Sequence, residues 1–208
     1  VVVEGMDGAG STTQARLLAD FLHAKGRATL LTYEPSGGPV GMLIRQALRG
    51  RLVARPGGGA PSNEVMALLF AADRMDHLAS EIQPALAAGR WVVSDRYLHS
   101  SLLYQSLEGG LDWVRQLNAR ARPADVTYVL DVPAELAAQR RGGRGAEAEL
   151  YETEPVMRRL AELYRRLPEL LPGEPIVVLD GSPGADRVQA LIQDDLRARF
   201  DLGPAENG

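Results

Sequence analysis

Residues Glu4–Gln14 read EGMDGAGSTTQ, directly after the apolar run Val1–Val3. A short β-branched run closed by glycine is how a buried parallel strand is written in sequence. Gly5, Gly10 and Thr12 then fit the phosphate-loop pattern G-x-x-x-x-G-K-[ST] in every slot but one. Where the pattern has lysine, this chain has Ser11. Backbone N–H groups and a helix N-terminus cradle phosphate without any side chain. The candidate nucleotide-binding segment is therefore Gly5, Met6, Asp7, Gly8, Ala9, Gly10, Ser11, Thr12 and Thr13, with the Thr12 hydroxyl suited to Mg²⁺. An ordinary tight strand-to-helix turn is the other reading of these residues. The missing lysine normally neutralises charge on the β- and γ-phosphates, and serine offers one hydrogen bond and no charge. Either other cations carry that charge, or the fold binds nucleotide without chemistry.

Working outward, Thr12–Ala24 places Leu17, Leu18, Phe21 and Leu22 at helical spacing. Lys25-Gly26 closes that helix. Arg27–Tyr33 reads as a second strand, Pro35–Pro39 as a turn, Val40–Leu48 as a short helix and Arg55–Ser62 as a break. A long helix is expected over Asn63–Ala88, capped by Ser62 or Asn63 and kinked or divided by Pro84. Further strands are expected at Trp91–Asp95, Asp125–Val132 and Ile176–Asp180, and a last helix at Ala185–Phe200. Strands alternating with helices predict an α/β fold, a parallel sheet covered on both faces. The 208 residues suit one domain over 1–208.

Composition narrows the classes. A net charge of −4 argues against non-specific polyanion binding, so no nucleic acid is expected. There is no cysteine, which removes disulfides, thiolate metal sites and thiol catalysis. No apolar run approaches a membrane span, and a cytoplasmic location is expected. Lys25 is the only lysine in the chain. It lies roughly 20 Å from the loop at ~1.5 Å per helical residue, a poor replacement for the lysine absent at position 11. His23, His77 and His99 are scattered and suggest neither a metal site nor a triad.

Asp95-Arg96-Tyr97 ends the third strand, beside the phosphate loop in a parallel sheet. Asp95 is placed to hold Mg²⁺ together with Thr12, and Arg96 to clamp a phosphate. A plain strand-end ion pair is the alternative. The run RRGGRG, Arg140–Gly145, reads either as a linker or as a mobile lid over about 140–150 carrying Arg140, Arg141 and Arg144.

Taken together, EGMDGAGSTTQ, EPSGGPVGMLIRQAL, LLFAADR and VVSDRYLHSSLLYQ resemble the thymidylate kinase (dTMP kinase) family of P-loop nucleoside monophosphate kinases. The resemblance runs from Val1 to about Leu196. It implies a five-stranded parallel sheet with a lid, a homodimer, and transfer of the γ-phosphoryl group of ATP to dTMP with Mg²⁺. It also implies residue roles. Phe70 stacks on thymine, and Arg74 hydrogen-bonds the base from four residues on along the same helix face. Tyr104 lies against the sugar, and Ser101 and Gln105 are base contacts. Asp7 positions the acceptor, and Arg96 and Arg45 hold its phosphate. Gly8 inside the loop places the chain with members that use lid arginines, making Arg141 and Arg144 the catalytic candidates; Tyr151 and Glu152 follow the lid. Two departures stand out: Ser11, and Tyr33 where many bacterial members have arginine. A regulatory nucleotide-binding protein and a kinase for another nucleoside monophosphate are the competing readings.

Overall fold

The computed structural model describes residues 1–52, 61–142 and 153–202. In chain order the elements are β1 (Val2–Glu4), α1 (Ser11–Ala24), β2 (Thr29–Tyr33), α2 (Pro39–Leu48), α3 (Asn63–His77), a π-helical turn (Leu78–Ile82), α4 (Gln83–Ala87), β3 (Trp91–Asp95), α5 (Leu98–Tyr104), α6 (Ser106–Gly109), α7 (Leu111–Leu117), β4 (Thr127–Asp131), α8 (Ala134–Gly142), α9 (Glu154–Arg165), α10 (Leu167–Leu170), β5 (Ile176–Asp180) and α11 (Ala185–Arg199). All five expected strands are present. They form one parallel sheet in the order β2-β3-β1-β4-β5.

β1 holds the centre of the sheet, and successive strand residues face opposite ways. Val3 accordingly enters the larger core with Leu18, Leu22, Tyr128, Leu160 and Ile192. Val2 enters a second core with Leu78, Ile82, Ala85 and Val92. Both faces are thus covered, as the near-continuous apolar strands require. The register Val3↔Asp95 brings the end of β3 beside the start of the phosphate loop.

The long helix expected over Asn63–Ala88 is divided. Ser62 Oγ accepts from Val65 N at 3.4 Å and opens α3. The wider π turn at Leu78–Ile82 comes just before Pro84, which falls in the first turn of α4. A proline is tolerated there because its missing N–H has little to bond to. Arg140 and Arg141, expected in the lid, form part of the last turn of α8 instead. The rest of the lid, with Arg144, and the following Tyr151 and Glu152 lie outside the described residues.

The turn after β2 is pinned from α3. Buried Asp73 accepts hydrogen bonds from Ser36 N at 2.7 Å and Ser36 Oγ at 2.6 Å. Truncating Asp73→Ala strands two donors, each costing roughly 1–3 kcal/mol when left unpaired. A net loss of about 2–4 kcal/mol is expected, read as a fall in Tm of roughly 4–15 °C by calorimetry.

Candidate functional site

The phosphate loop is shaped by two glycines. Gly10, at φ +102°, turns the chain into α1 without a side-chain cap, so the first N–H groups of α1 are left to an external acceptor. Gly8, at φ +88°, lies under the end of α8. A Cβ there would stand 2.3 Å from the Ala137 carbonyl oxygen and 3.1 Å from Arg141 Cγ. Ser11 is buried at the first position of α1. Thr12 Oγ1 donates to Asp95 Oδ2 at 2.6 Å, and Asp95 Oδ1 is buried without a hydrogen-bond partner. One hydroxyl and one carboxylate fit a small, hard cation that takes its other ligands from phosphate and water. Among the described residues no cluster of three or more acidic or histidine side chains is placed to hold a metal alone.

Beside the loop, Glu4 is fully buried at the end of β1. It accepts from Tyr97 N (2.9 Å), Ser100 N (3.1 Å), Ser100 Oγ (2.6 Å) and Tyr164 OH (3.4 Å). These bonds hold the start of α5 and with it Arg96, whose φ of 68° is in the left-handed region that non-glycine residues avoid. Arg96 Nη2 reaches Asp7 Oδ1 at 2.6 Å, and Nη1 donates to Ser100 Oγ at 3.0 Å and Tyr164 OH at 3.3 Å. Burial disfavours its charge, but Asp7, Tyr104, Tyr164 and Glu4 hold the guanidinium well above its ordinary pKa. Burial, and then Asp7, push the Tyr104 hydroxyl upward, so it stays protonated and donates to Asp7 Oδ2 at 3.0 Å.

A cavity of about 200 Å³ opens from this cluster. Arg45, Phe70, Arg74, Arg96, Ser101, Tyr104 and Gln105, all expected from sequence to bind a substrate, line it together with Asp7. Phe70 offers a half-buried ring. Arg74 is buried and tightly held: Nη2 donates to Glu34 Oε2 (2.7 Å), Ser101 Oγ (2.8 Å) and the Tyr97 carbonyl (3.1 Å), and Nη1 donates to Asn118 Oδ1. Gln105 Oε1 is buried with no hydrogen-bond partner. Arg45 donates to the carbonyls of Pro35 and Ser36 and stacks on Tyr33, 5.1 Å from the ring centroid. The aromatic residue before Glu34 thus packs against an arginine already committed to the turn.

On the other side of the loop, a second cavity of about 200 Å³ is lined by Gly10, Thr13, Gln14, Arg140 and Pro183–Ala185. Arg140 donates to the carbonyls of Gly181 (3.0 Å) and Ser182 (2.9 Å), and Arg141 to that of Asp7. The two cavities flank the phosphate loop, as a donor and an acceptor of a phosphoryl group require.

Sequence reading missed Glu4, Glu34, Ser100, Asn118 and Tyr164. A lone acid ending an apolar strand was a readable signal for Glu4; the others are brought in from distant segments. Two of the three histidines, His77 and His99, pack inside, and His23 is exposed. His77 bonds Thr32 and lies against Glu34, and His99 bonds Glu174.

The family model described as thymidylate kinase matches residues 3–192. A probable thymidylate kinase of Thermococcus kodakarensis is 40% identical over 179 residues, 85% of this chain and 87% of that protein. A probable thymidylate kinase of Thermococcus gammatolerans is 42% identical over 174 residues, covering 83% and 84%. The thymidylate kinase of Nostoc punctiforme is 35% identical over 208 residues, 96% of each chain.

Gly8→Ala tests the packing of the loop under α8. The strain of a positive φ, about 1–3 kcal/mol, adds to the clash with Ala137. ATP affinity measured by isothermal titration is expected to fall at least roughly tenfold.

Proposed function

Because the chain belongs to the thymidylate kinase family, we propose that it transfers the γ-phosphoryl group of ATP to dTMP, giving ADP and dTDP. The observation that carries this reading is the acceptor cavity. Thymine presents a flat face, carbonyl acceptors and one imide N–H. Phe70 supplies a surface for the face, Arg74 is a donor, and the unpartnered Gln105 Oε1 is an acceptor for the N–H. Tyr104, between this end and Asp7, lies where the sugar passes, and Arg96 and Arg45 are the cations for the 5′-phosphate.

Catalysis is positioning plus charge neutralisation. An oxygen of the dTMP phosphate attacks the γ-phosphorus in line. The bond from that phosphorus to the bridging oxygen breaks, and the electron pair leaves on ADP. Asp7 and Arg96 fix the acceptor, and the N-terminus of α1 binds the donor phosphates. Thr12 and Asp95 would hold Mg²⁺, which when bound would supply neutralising charge at the ATP phosphates. Arg141 and Arg144 are the catalytic arginines, and the lid excludes water.

We assign the working form as a cytoplasmic homodimer. Family resemblance supports this, together with exposed Val65, Leu68 and Met75 along one face of α3 and exposed Met42 on α2. Among the described residues no helix is long and apolar enough to cross a membrane. Ser11 is the observation that favours a second reading, a regulatory nucleotide-binding protein that retains the pocket without turnover.

A coupled assay of ADP release with ATP and Mg²⁺, comparing dTMP, dUMP, dGMP and UMP, decides among these. Turnover strongest with dTMP is expected; preference for a purine would defeat the pocket assignment, and binding of dTMP without turnover would favour the regulatory reading. Phe70→Ala removes a stacking surface worth about 1–3 kcal/mol, so KM for dTMP should rise roughly 5–150-fold with kcat less affected. Leu68→Glu should convert the dimer to a monomer in light scattering.

A further inference from the structure

Ser11 leaves the phosphate loop without the charge that normally reaches the β- and γ-phosphates. The cations nearby differ in what they already do. Lys25 caps the opposite end of α1. Arg96 is paired with Asp7 on the acceptor side. Arg140 spreads both terminal nitrogens over the carbonyls of Gly181 (3.0 Å) and Ser182 (2.9 Å), on the side of the second cavity, and reaches the loop at the Ala9 carbonyl, 3.4 Å away. Arg141 reaches the loop more closely: its Nη1 donates to the carbonyl of Asp7, and its Cγ lies 3.1 Å from where a Cβ on Gly8 would stand.

The backbone makes this contact possible. Gly8 has no side chain, and the C-terminal half of α8 lies against it so closely that the Ala137 carbonyl and Arg141 Cγ occupy the space a Cβ would need. The same glycine therefore admits an arginine from a neighbouring helix to the loop whose own lysine is gone. We propose that Arg141 carries the positive charge missing at position 11: the loop cation has been moved from the first turn of α1 to the last turn of α8. The proposal rests on the reading of this site as a dTMP kinase. It concerns the donor phosphates, whereas Arg96 serves the acceptor. A guanidinium remains charged throughout the working pH range and offers a planar pair of donors, so it is a competent replacement for an ammonium at a phosphate.

The test is a reciprocal exchange in the full chain. Arg141→Gln, Ser11→Lys, the double variant Ser11→Lys/Arg141→Gln, and Arg144→Gln are assayed for dTDP formation at saturating ATP, Mg²⁺ and dTMP. Removing one preorganised transition-state donor costs about 10²–10³-fold in kcat, and that loss is expected for Arg141→Gln, with dTMP affinity within roughly twofold of the parent. In the Ser11→Lys background the same substitution should cost less than roughly tenfold, because the lysine restores the charge. Arg141→Lys keeps charge and stem and should hold at least about a tenth of parental kcat. This arm decides the matter even if the Gln variant is poorly folded by thermal melt.

An equal Arg141→Gln loss in both backgrounds overturns the proposal, as does an Arg141→Lys loss as deep as that of Arg141→Gln. Rescue by Ser11→Lys of Arg144→Gln, tested as its own double variant, in place of Arg141→Gln also overturns it. If Ser11→Lys alone among the proteins turns over, the kinase reading stands and Arg141 is not the substitute. If no protein forms dTDP, the kinase reading falls and takes this assignment with it.

Discussion

A carboxylate buried from water must be fully hydrogen-bonded or it destabilises the fold around it. Glu4 meets that demand with four donors from the start of α5 and from Tyr164 of α9. The central strand, the segment after β3 and the helix that follows the lid region are thereby tied at one point. The arrangement of Arg96 follows from it. The residues after it are fixed by Glu4, Tyr97 through its N–H and Ser100 through N–H and hydroxyl, and its own N–H donates to the Val3 carbonyl at 2.9 Å, so the left-handed backbone of Arg96 is held by its surroundings.

From that fixed point the polar side chains run toward the cavity. Asp7 is gripped by Arg96 through one oxygen and by Tyr104 through the other. Arg74 is held by Glu34, Ser101 and Asn118, and Glu34 lies in turn against His77. Most groups that face a ligand thus have a second partner behind them. Such preorganisation lowers the ordering cost of binding and suits chemistry that depends on placement. Gln105 Oε1 and Asp95 Oδ1 are exceptions, each buried with no partner, and each is an acceptor where the proposed reaction needs one.

Much of this was legible from local pattern. The glycine spacing of the loop, the β-branched runs and the strand-end Asp95-Arg96 announced the sheet and its active edge, because those features depend on near neighbours in the chain. Phe70 and Arg74 were named through the family resemblance, with which their spacing of four residues on one helix face agrees. The partners of Arg74 and Arg96 were not. Asn118 is 44 residues from Arg74 and Tyr164 is 68 from Arg96, and nothing in their local sequence marks the contact. One boundary was misread for a physical reason. The glycines after Arg141 suggested a loop from position 140, yet Ala134–Gln139 is strongly helix-favouring and carries α8 through both arginines. The division expected at Pro84 is present, and a π turn that no local pattern marked lies just upstream of it.

The arginine-rich composition has a practical side. Lys25 is the only side-chain amine in the chain, half-buried at the C-terminal cap of α1. The phosphate loop lies at the other end of that helix, about 20 Å away at ~1.5 Å per residue. Amine-reactive reagents, which disable many phosphate-binding loops by acylating their lysine, find no such target at this one. A fluorophore coupled through Lys25 would report on the far end of α1 while leaving both cavities chemically untouched.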